Sequence, residues 1–124
     1  MNRLSLLAAA AALVVTAPAL AHTKIVSANP AAGATVASPA VIELKTSEKL
    51  MPKLSGATLT MTSMPGMANH GEMKMPVTTS VAKDGSTIVL KPSKKLAAGS
   101  YRVDWYAVSG DTHRVTGTHA FSVK

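Results

Sequence analysis

A short segment of the sequence concentrates most of the protein's sulfur. Five of the seven methionines fall between residues 61 and 75, together with one histidine. Pro65-Gly66 and Gly71 interrupt any helix, and the methionine spacing does not match a strand face, so the pattern predicts an irregular loop. Thioether sulfur suits Cu(I) and is poor for zinc, magnesium or calcium. We therefore predict a Cu(I) site. The alternative is that the methionines only pack within the loop. The candidate ligands are Met61, Met64, Met67, His70, Met73 and Met75.

The first residues have the composition of an export signal. Arg3 provides a positive charge, residues 4–15 are almost entirely apolar, and Ala19-Leu20-Ala21 has the small-x-small pattern of a cleavage site. An uncleaved anchor is the alternative, but the apolar stretch is shorter than the roughly 20 residues that a membrane span requires. We expect residues 1–21 to be a cleaved signal peptide for export to the periplasm. Residues 22–124 would then be a single domain without a membrane span.

Cleavage after Ala21 would place a histidine at the new amino terminus. The α-amine and the imidazole of His22 could then chelate one metal ion, because the reference pKa of an α-amine, about 7.7–8.0, is low enough for a metal to displace the proton. Asp111 and His113 offer a carboxylate and an imidazole two residues apart. Nitrogen and oxygen ligands in a tetragonal set suit Cu(II). Glu48, just after a predicted strand, is either a further carboxylate ligand or a solvated turn residue.

The elements that must position these residues are short strands. Val, Ile, Thr and aromatic residues recur in each, and Pro, Gly, Asn or Asp stands at most of the joins. Asp84-Gly85 predicts a hairpin turn. The pattern predicts an all-β fold, a Greek-key β-sandwich or barrel of about seven strands, immunoglobulin-like or cupredoxin-like. The predicted strands are Lys24–Ser27, Ala40–Thr46, Ala57–Thr62, Val77–Ala82, Thr87–Leu90, Ser100–Val108 and Thr116–Val123.

Alternation within the last two predicted strands separates core from surface. His119 shares the inward face with Phe121 and Val123, so we predict a buried structural histidine rather than a ligand. His113 taken alone would also be interpreted as structural, and only its combination with the methionine segment favours a ligand. In the preceding strand, the predicted core residues are Tyr101, Val103, Trp105 and Ala107.

Composition excludes several other classes of function. The chain has no cysteine, so neither a disulfide nor a thiolate metal site is available. It carries 13 Lys and Arg against 6 Asp and Glu, a formal net charge of +7. However, the lysines are dispersed and aromatic residues make up only 3% of the chain, which argues against a nucleic-acid surface. The charge instead suits solubility or docking onto an acidic partner.

Taken together, these features resemble the CopC family of periplasmic copper-resistance proteins. The chain departs from the family pattern at Thr46, where Phe is usual, and at His119, where an aliphatic residue is usual. The matching pieces are His22, Asn29-Pro30, Ser47-Glu48, the 61–75 segment with Met64-Pro65-Gly66-Met67, Tyr101-Arg102-Val103-Asp104-Trp105, Ser109-Gly110-Asp111-Thr112-His113, Gly117 and Phe121.

The resemblance implies a non-enzymatic carrier and buffer in copper resistance and homeostasis, with two sites at opposite ends of the β-domain. A Cu(II) site would use His22, Asp111 and His113. Glu48 would either be a ligand itself or contact the ligands. A Cu(I) site would use several methionines and His70. The implied partners are an inner-membrane copper transporter, such as a CopD-like protein, or a periplasmic multicopper oxidase.

Two rival functions stay open at this point. A mononuclear copper oxygenase could also be built on an amino-terminal histidine chelate, but that idea leaves the methionine segment unexplained. An immunoglobulin-like module with incidental methionines explains the strands but not the candidate ligands.

Overall fold

Two β-sheets pack face to face in the computed structural model, which describes residues 22–66 and 71–124. One sheet has the strand order β1-β3-β7-β6 and the other β2-β9-β8-β4-β5. A 3-10 turn, Pro52–Leu54, precedes β4. The predicted all-β sandwich is confirmed. The strands are β1 (Ile25–Asn29), β2 (Thr35–Val36), β3 (Ile42–Thr46), β4 (Gly56–Ser63), β5 (Met73–Met75), β6 (Val77–Val81), β7 (Thr87–Pro92), β8 (Gly99–Val108) and β9 (Arg114–Val123).

Each of the seven predicted strands overlaps an observed strand, and two further strands were missed. The first, β2, is a two-residue strand that pairs in parallel with the end of β9. The second, β5, pairs with β4 inside the segment that was predicted to be a loop. Both are too short for alternation to be visible in the sequence alone, since two or three residues hold at most one period.

The core lies where the inward faces of the two sheets meet. Strands β3, β7 and β8 alternate buried and more exposed side chains over much of their length, as a half-buried strand requires. Tyr101 of β8 stacks on Phe121 of β9, with ring centroids 5.6 Å apart. The four residues of β8 that were predicted to be inward are all buried, which confirms that face: Tyr101, Val103, Trp105 and Ala107.

The predicted structural histidine is confirmed. His119 is 7% exposed on the inward face of β9, and its Nε2 lies 2.8 Å from the carbonyl oxygen of Pro30. Because this buried imidazole has a backbone partner, the polar group needs no metal to satisfy it. His119 thus ties β9 to the chain that follows β1.

The predicted hairpin turn joins β6 to β7. Gly85 has a φ of 77°, which favours glycine, and its N–H donates to Ala82 O at 2.9 Å. The Asp84 carboxylate accepts hydrogen bonds from the Thr87 hydroxyl at 2.6 Å and from the Ser86 and Thr87 N–H groups at 2.9 and 3.0 Å. These bonds, the Thr87 hydroxyl first, lower the pKa of Asp84. The prediction of a turn at Asp84-Gly85 is confirmed.

The sandwich has two ends with different loops. Strand β8 contains 10 residues, so at about 3.3 Å per residue the two ends lie roughly 30 Å apart. No helix within residues 22–66 and 71–124 is long and apolar enough to cross a bilayer. We call one end the histidine end, comprising residues 22–24, 47–51, 82–86 and 109–113. The opposite end, which we call the methionine end, comprises residues 37–41, 64–66, 71–72, 93–98 and 124.

Candidate functional site

The amino-terminal segment is fixed to the turn that carries Glu48. The Lys24 N–H donates to the Ser47 hydroxyl at 3.1 Å, and the Ser47 N–H donates to Lys24 O at 2.9 Å. Thr23, between this anchor and His22, is only 4% exposed. His22 itself is exposed, and Glu48 is partly exposed. The hydrogen bonds therefore bring His22 to the same end of the sandwich as Glu48.

The 109–113 turn lies on the other side of the same segment. Leu50 forms an isolated bridge with Ser109, and the Met51 N–H donates to Val108 O at 2.7 Å. Residues 47–51 thus run between the amino-terminal segment and the turn that contains Asp111 and His113. Three parts of the chain that are far apart in sequence meet at the histidine end, and together they carry all four candidate Cu(II) ligands.

The Asp111 carboxylate is held in a defined orientation. The Ser109 hydroxyl donates to its Oδ1 at 2.7 Å, and the His113 N–H donates to the same oxygen at 3.1 Å. These two bonds, the Ser109 hydroxyl first, lower the pKa of Asp111. Thr112, between these two residues, has a φ of 66°, so the turn is tight. Asp111 and His113 are both exposed. The arrangement keeps an ionised carboxylate and an imidazole at the surface.

These candidate ligands do not form a preassembled cluster. Among the residues that the structure describes, no three His, Asp or Glu side chains are grouped closely enough to hold a metal ion. In the full-length chain the nitrogen of His22 is an amide that follows Ala21. An amide lacks the basic lone pair of an amine, so the predicted chelate can form only after cleavage.

The methionine segment is more regular than predicted. Met61 lies within β4, and Met73 to Met75 form β5, with Met61 opposite Met73 and Leu59 opposite Met75. The prediction of an irregular loop is therefore wrong at Met73–Met75, whereas the strand that contains Met61 was predicted. Because residues directly opposite in an antiparallel pair share a face, Met73 and Met75 lie on the same sheet face as Met61. The short strand Met73–Met75 can be recognised only from its pairing with β4.

The methionines differ in how far they are buried. Met61 is 3% exposed within the core, whereas Met73 is 48% exposed. Met64 and Met75 are partly buried and pack against the core. A ligand role for Met61 stays a prediction, and its burial favours packing instead. The two remaining predicted ligands, Met67 and His70, lie outside the residues that the structure describes.

An ion-pair network that the sequence did not predict connects β8 to the start of β5. Arg102 donates from its two terminal nitrogens to Glu72 Oε1 and Oε2 at 2.8 and 3.2 Å, and from Nε to both oxygens of Asp104 at 3.1 Å. This fork-shaped contact lowers the pKa of Glu72. The intervening strand contributes Thr60, opposite both Arg102 and Lys74, and Thr60 is only 7% exposed. Arg102 therefore reaches across β4 and fixes the residue that precedes Met73.

Comparisons with known proteins identify a matching family. The model of the CopC domain family matches residues 25–124. Copper resistance protein C of Pseudomonas syringae pv. tomato is 50% identical over 115 residues, which cover 93% of this chain and 90% of that protein. Copper resistance protein C of Escherichia coli is 46% identical over 106 residues, covering 86% of this chain and 84% of that protein.

Solved structures with the same fold include two crystal structures of PcoC from Escherichia coli. The selenomethionine form, described as a copper resistance protein, has a TM-score of 0.78 and 46% identity, covering 82% of this chain and 99% of that chain. The second, described as a methionine-rich copper resistance protein, has a TM-score of 0.77 and 44% identity, covering 84% and 100%.

Proposed function

Since this chain belongs to the CopC family, whose members bind copper and are not enzymes, we propose that it is a periplasmic carrier and buffer of copper. It is a homologue of copper resistance protein C, as the resemblance implied. Family membership also confirms the expectation that the protein is not an enzyme, and the copper oxygenase alternative is set aside on that ground. The proposed signal peptide, residues 1–21, would direct the carrier to the periplasm and would be removed by cleavage after Ala21.

One observation carries the proposal: candidate ligands of unlike chemistry lie towards opposite ends of one sandwich. The histidine end offers nitrogen and oxygen donors, and the methionine end offers thioether sulfur. Hard and soft donors select different oxidation states of copper, so the chain could hold each state with ligands that it prefers. Because Met75 is level with Val103 of β8, six residues before Ser109, roughly 20 Å or more of strand separates the two sets and keeps them from forming one mixed site.

At the histidine end, the proposed Cu(II) ligands are the His22 amine and imidazole, Asp111 and His113, with Glu48 nearby. The lowered pKa of Asp111 supports this assignment, because a carboxylate that is ionised at lower pH competes better for a metal ion. The exposure of His22 and His113 leaves both imidazoles free to turn towards an ion. Copper binding would therefore draw together exposed side chains from three segments that the fold already holds at one end.

At the methionine end, we propose a Cu(I) site that draws on the accessible sulfurs. Met73 is the most exposed of the described candidates. The partly buried Met75 lies two residues further along β5, and the partly buried Met64 follows the neighbouring strand β4. Met67 and His70 complete the proposed set. Met61 would support the site from the core beneath it.

The proposed partners are those that need to receive or supply copper in the periplasm. An inner-membrane copper transporter of the CopD type and a periplasmic multicopper oxidase both meet that description. Cu(I) and Cu(II) sites at separate ends would allow each end to serve a different partner.

The amino-terminal chelate provides the test. Adding one N-acetylated glycine before His22 converts the amine into an amide, leaves the imidazole in place and introduces no new amine. The Cu(II) dissociation constant should rise more than tenfold, which is about 1.4 kcal/mol, because one chelating nitrogen is lost. Competitive Cu(II) titration of the cleaved and the extended protein measures this directly.

Cu(I) titration of the same two proteins is the control and should give equal affinities. Variant His113→Ala of the cleaved protein should also lose Cu(II) affinity, since it removes a second proposed ligand. Equal Cu(II) dissociation constants for the cleaved and extended proteins would show that His22 is not part of the site.

A further inference from the structure

The methionine end carries exposed lysines around two shallow hollows. One hollow, of about 550 Å³, is bordered by Lys95 and Lys124, and the other, of about 320 Å³, by Lys94 and Lys95. All three lysines are exposed. We call Lys94, Lys95 and Lys124, together with the two hollows, the lysine surface.

Acidic side chains do not offset this charge locally. The loops 37–41, 64–72 and 93–98 contain a single acidic residue, Glu72. Its carboxylate is already bound by Arg102, at 2.8 Å. Across the described ranges 22–66 and 71–124, both salt bridges belong to Arg102, so none of the three lysines is paired with an acidic side chain there. The histidine end differs, because its loops mix lysines with Glu48, Asp84 and Asp111.

A hydrogen bond and a buried leucine fix the loops that carry the lysine surface. The Leu96 N–H donates to the Ser38 hydroxyl at 2.8 Å, which joins the two loops that form the hollows. Leu96 itself is 5% exposed and anchors its loop in the core. Alanine, serine and proline line most of the remaining surface, so a partner's chain could approach the backbone closely. Because the backbone is already fixed, a partner would have to order only the lysine side chains on binding.

We propose that the lysine surface is the docking site for an acidic protein that exchanges Cu(I) with the methionine segment. The proposal rests on the Cu(I) site proposed above. Opposite charge on the partner would raise the rate of productive encounters and fix its orientation. At physiological ionic strength charges act over about 8 Å, so the lysines at the far end, roughly 30 Å away, would add little. An acidic partner would therefore be guided to the methionine end.

A synthetic copper donor tests this without the natural partner. The probe is a peptide of alternating aspartate and methionine residues that carries one Cu(I), and the matched probe has asparagine in place of aspartate. Stopped-flow measurements give the rate of Cu(I) transfer to the cleaved protein at about 0.15 M salt, where charges act over about 8 Å. Since electrostatic steering accelerates association by about tenfold or more, the aspartate peptide should transfer Cu(I) at least fivefold faster than the asparagine peptide.

Two triple variants locate the effect. In Lys94→Gln/Lys95→Gln/Lys124→Gln, the advantage of the aspartate peptide should disappear. The control, Lys49→Gln/Lys53→Gln/Lys83→Gln, removes the same charge from residues near the histidine end and should keep the advantage. Raising the salt concentration to about 1 M, where charges act over only about 3 Å, should abolish the difference in every protein.

The possible results separate this proposal from the proposed function. Equal transfer rates for the two peptides, with Cu(I) affinity intact at equilibrium, overturn the docking proposal alone. Failure of the unmutated protein to bind Cu(I) at equilibrium overturns both. If vesicles of anionic lipid sediment the protein through the three lysines while the peptides show no charge preference, the lysine surface recognises a membrane instead.

Discussion

Met61 and Met73 lie opposite each other on the adjacent strands β4 and β5. Replacing each in turn should separate packing from metal binding. Met61 is 3% exposed, so Met61→Ala leaves a cavity in the core and should cost about 2–5 kcal/mol of unfolding free energy. Met73 is 48% exposed. Full burial of a methionine contributes about 1.5–3 kcal/mol, so Met73→Ala should cost only about 1 kcal/mol.

Leucine variants separate the loss of sulfur from the loss of volume. Met→Leu roughly conserves apolar volume and should cost less than about 1.5 kcal/mol at either position. Met73→Leu should nevertheless weaken Cu(I) binding at least tenfold, or about 1.4 kcal/mol, whereas Met61→Leu should leave it unchanged. Urea unfolding gives the stability, and competition with a Cu(I) chelator gives the affinity. A tenfold loss of Cu(I) affinity in Met61→Leu at unchanged stability would refute the packing role and make the Met61 sulfur a ligand.

Three further predictions concern the fold. Chelator-treated protein should keep a β-sheet circular dichroism spectrum, because the strands bury their own apolar faces, and a random-coil spectrum would contradict this. The pKa of Asp84 is lowered in the folded state, so its contribution to stability is present above its ordinary pKa of 3.8 and disappears as the pH falls through the folded value. Asp84→Asn should therefore lower the urea midpoint at pH 7 but hardly at pH 2, and equal losses would show that the hairpin does not depend on the carboxylate. A β-carbon at Gly117 would lie 2.7 Å from Trp105 Cε2, so Gly117→Ala should cost about 1–3 kcal/mol, whereas Gly110→Ala, which meets open space, should not change the thermal midpoint.

Alternation was enough to predict the long strands because it is a local signal. In β8, every second residue from Tyr101 to Ala107 is buried, and in β9 His119 and Phe121 follow the same period. Strand β5 has no such signal, since three residues from Met73 to Met75 become a strand only by pairing with β4. The methionine segment looked irregular because its partner strand lies more than ten residues earlier in the chain.

The candidate site was predictable in its chemistry but not in its assembly. The types and short spacings of Asp111 and His113 suggested a metal site directly. Their approach to the amino-terminal segment depends on contacts such as Ser47 with Lys24 and Leu50 with Ser109, which no local pattern contains. The same holds for Arg102 and Glu72, which are 30 residues apart. Long-range pairing is the step that sequence reasoning could not supply.

The placement of the two ligand sets limits how copper could move through the proposed carrier. A metal–ligand bond to nitrogen or oxygen is about 2 Å long, and the two ends of β8 are roughly 30 Å apart. No movement of side chains alone would pass an ion between the sets within one molecule. Because β8 runs through the centre of its sheet, flanked by β9 and β4, it would not bend to shorten that distance. Exchange between the two ends would therefore require a second molecule, either another copy of the chain or a partner protein, and the net direction would follow the redox state that the partner imposes.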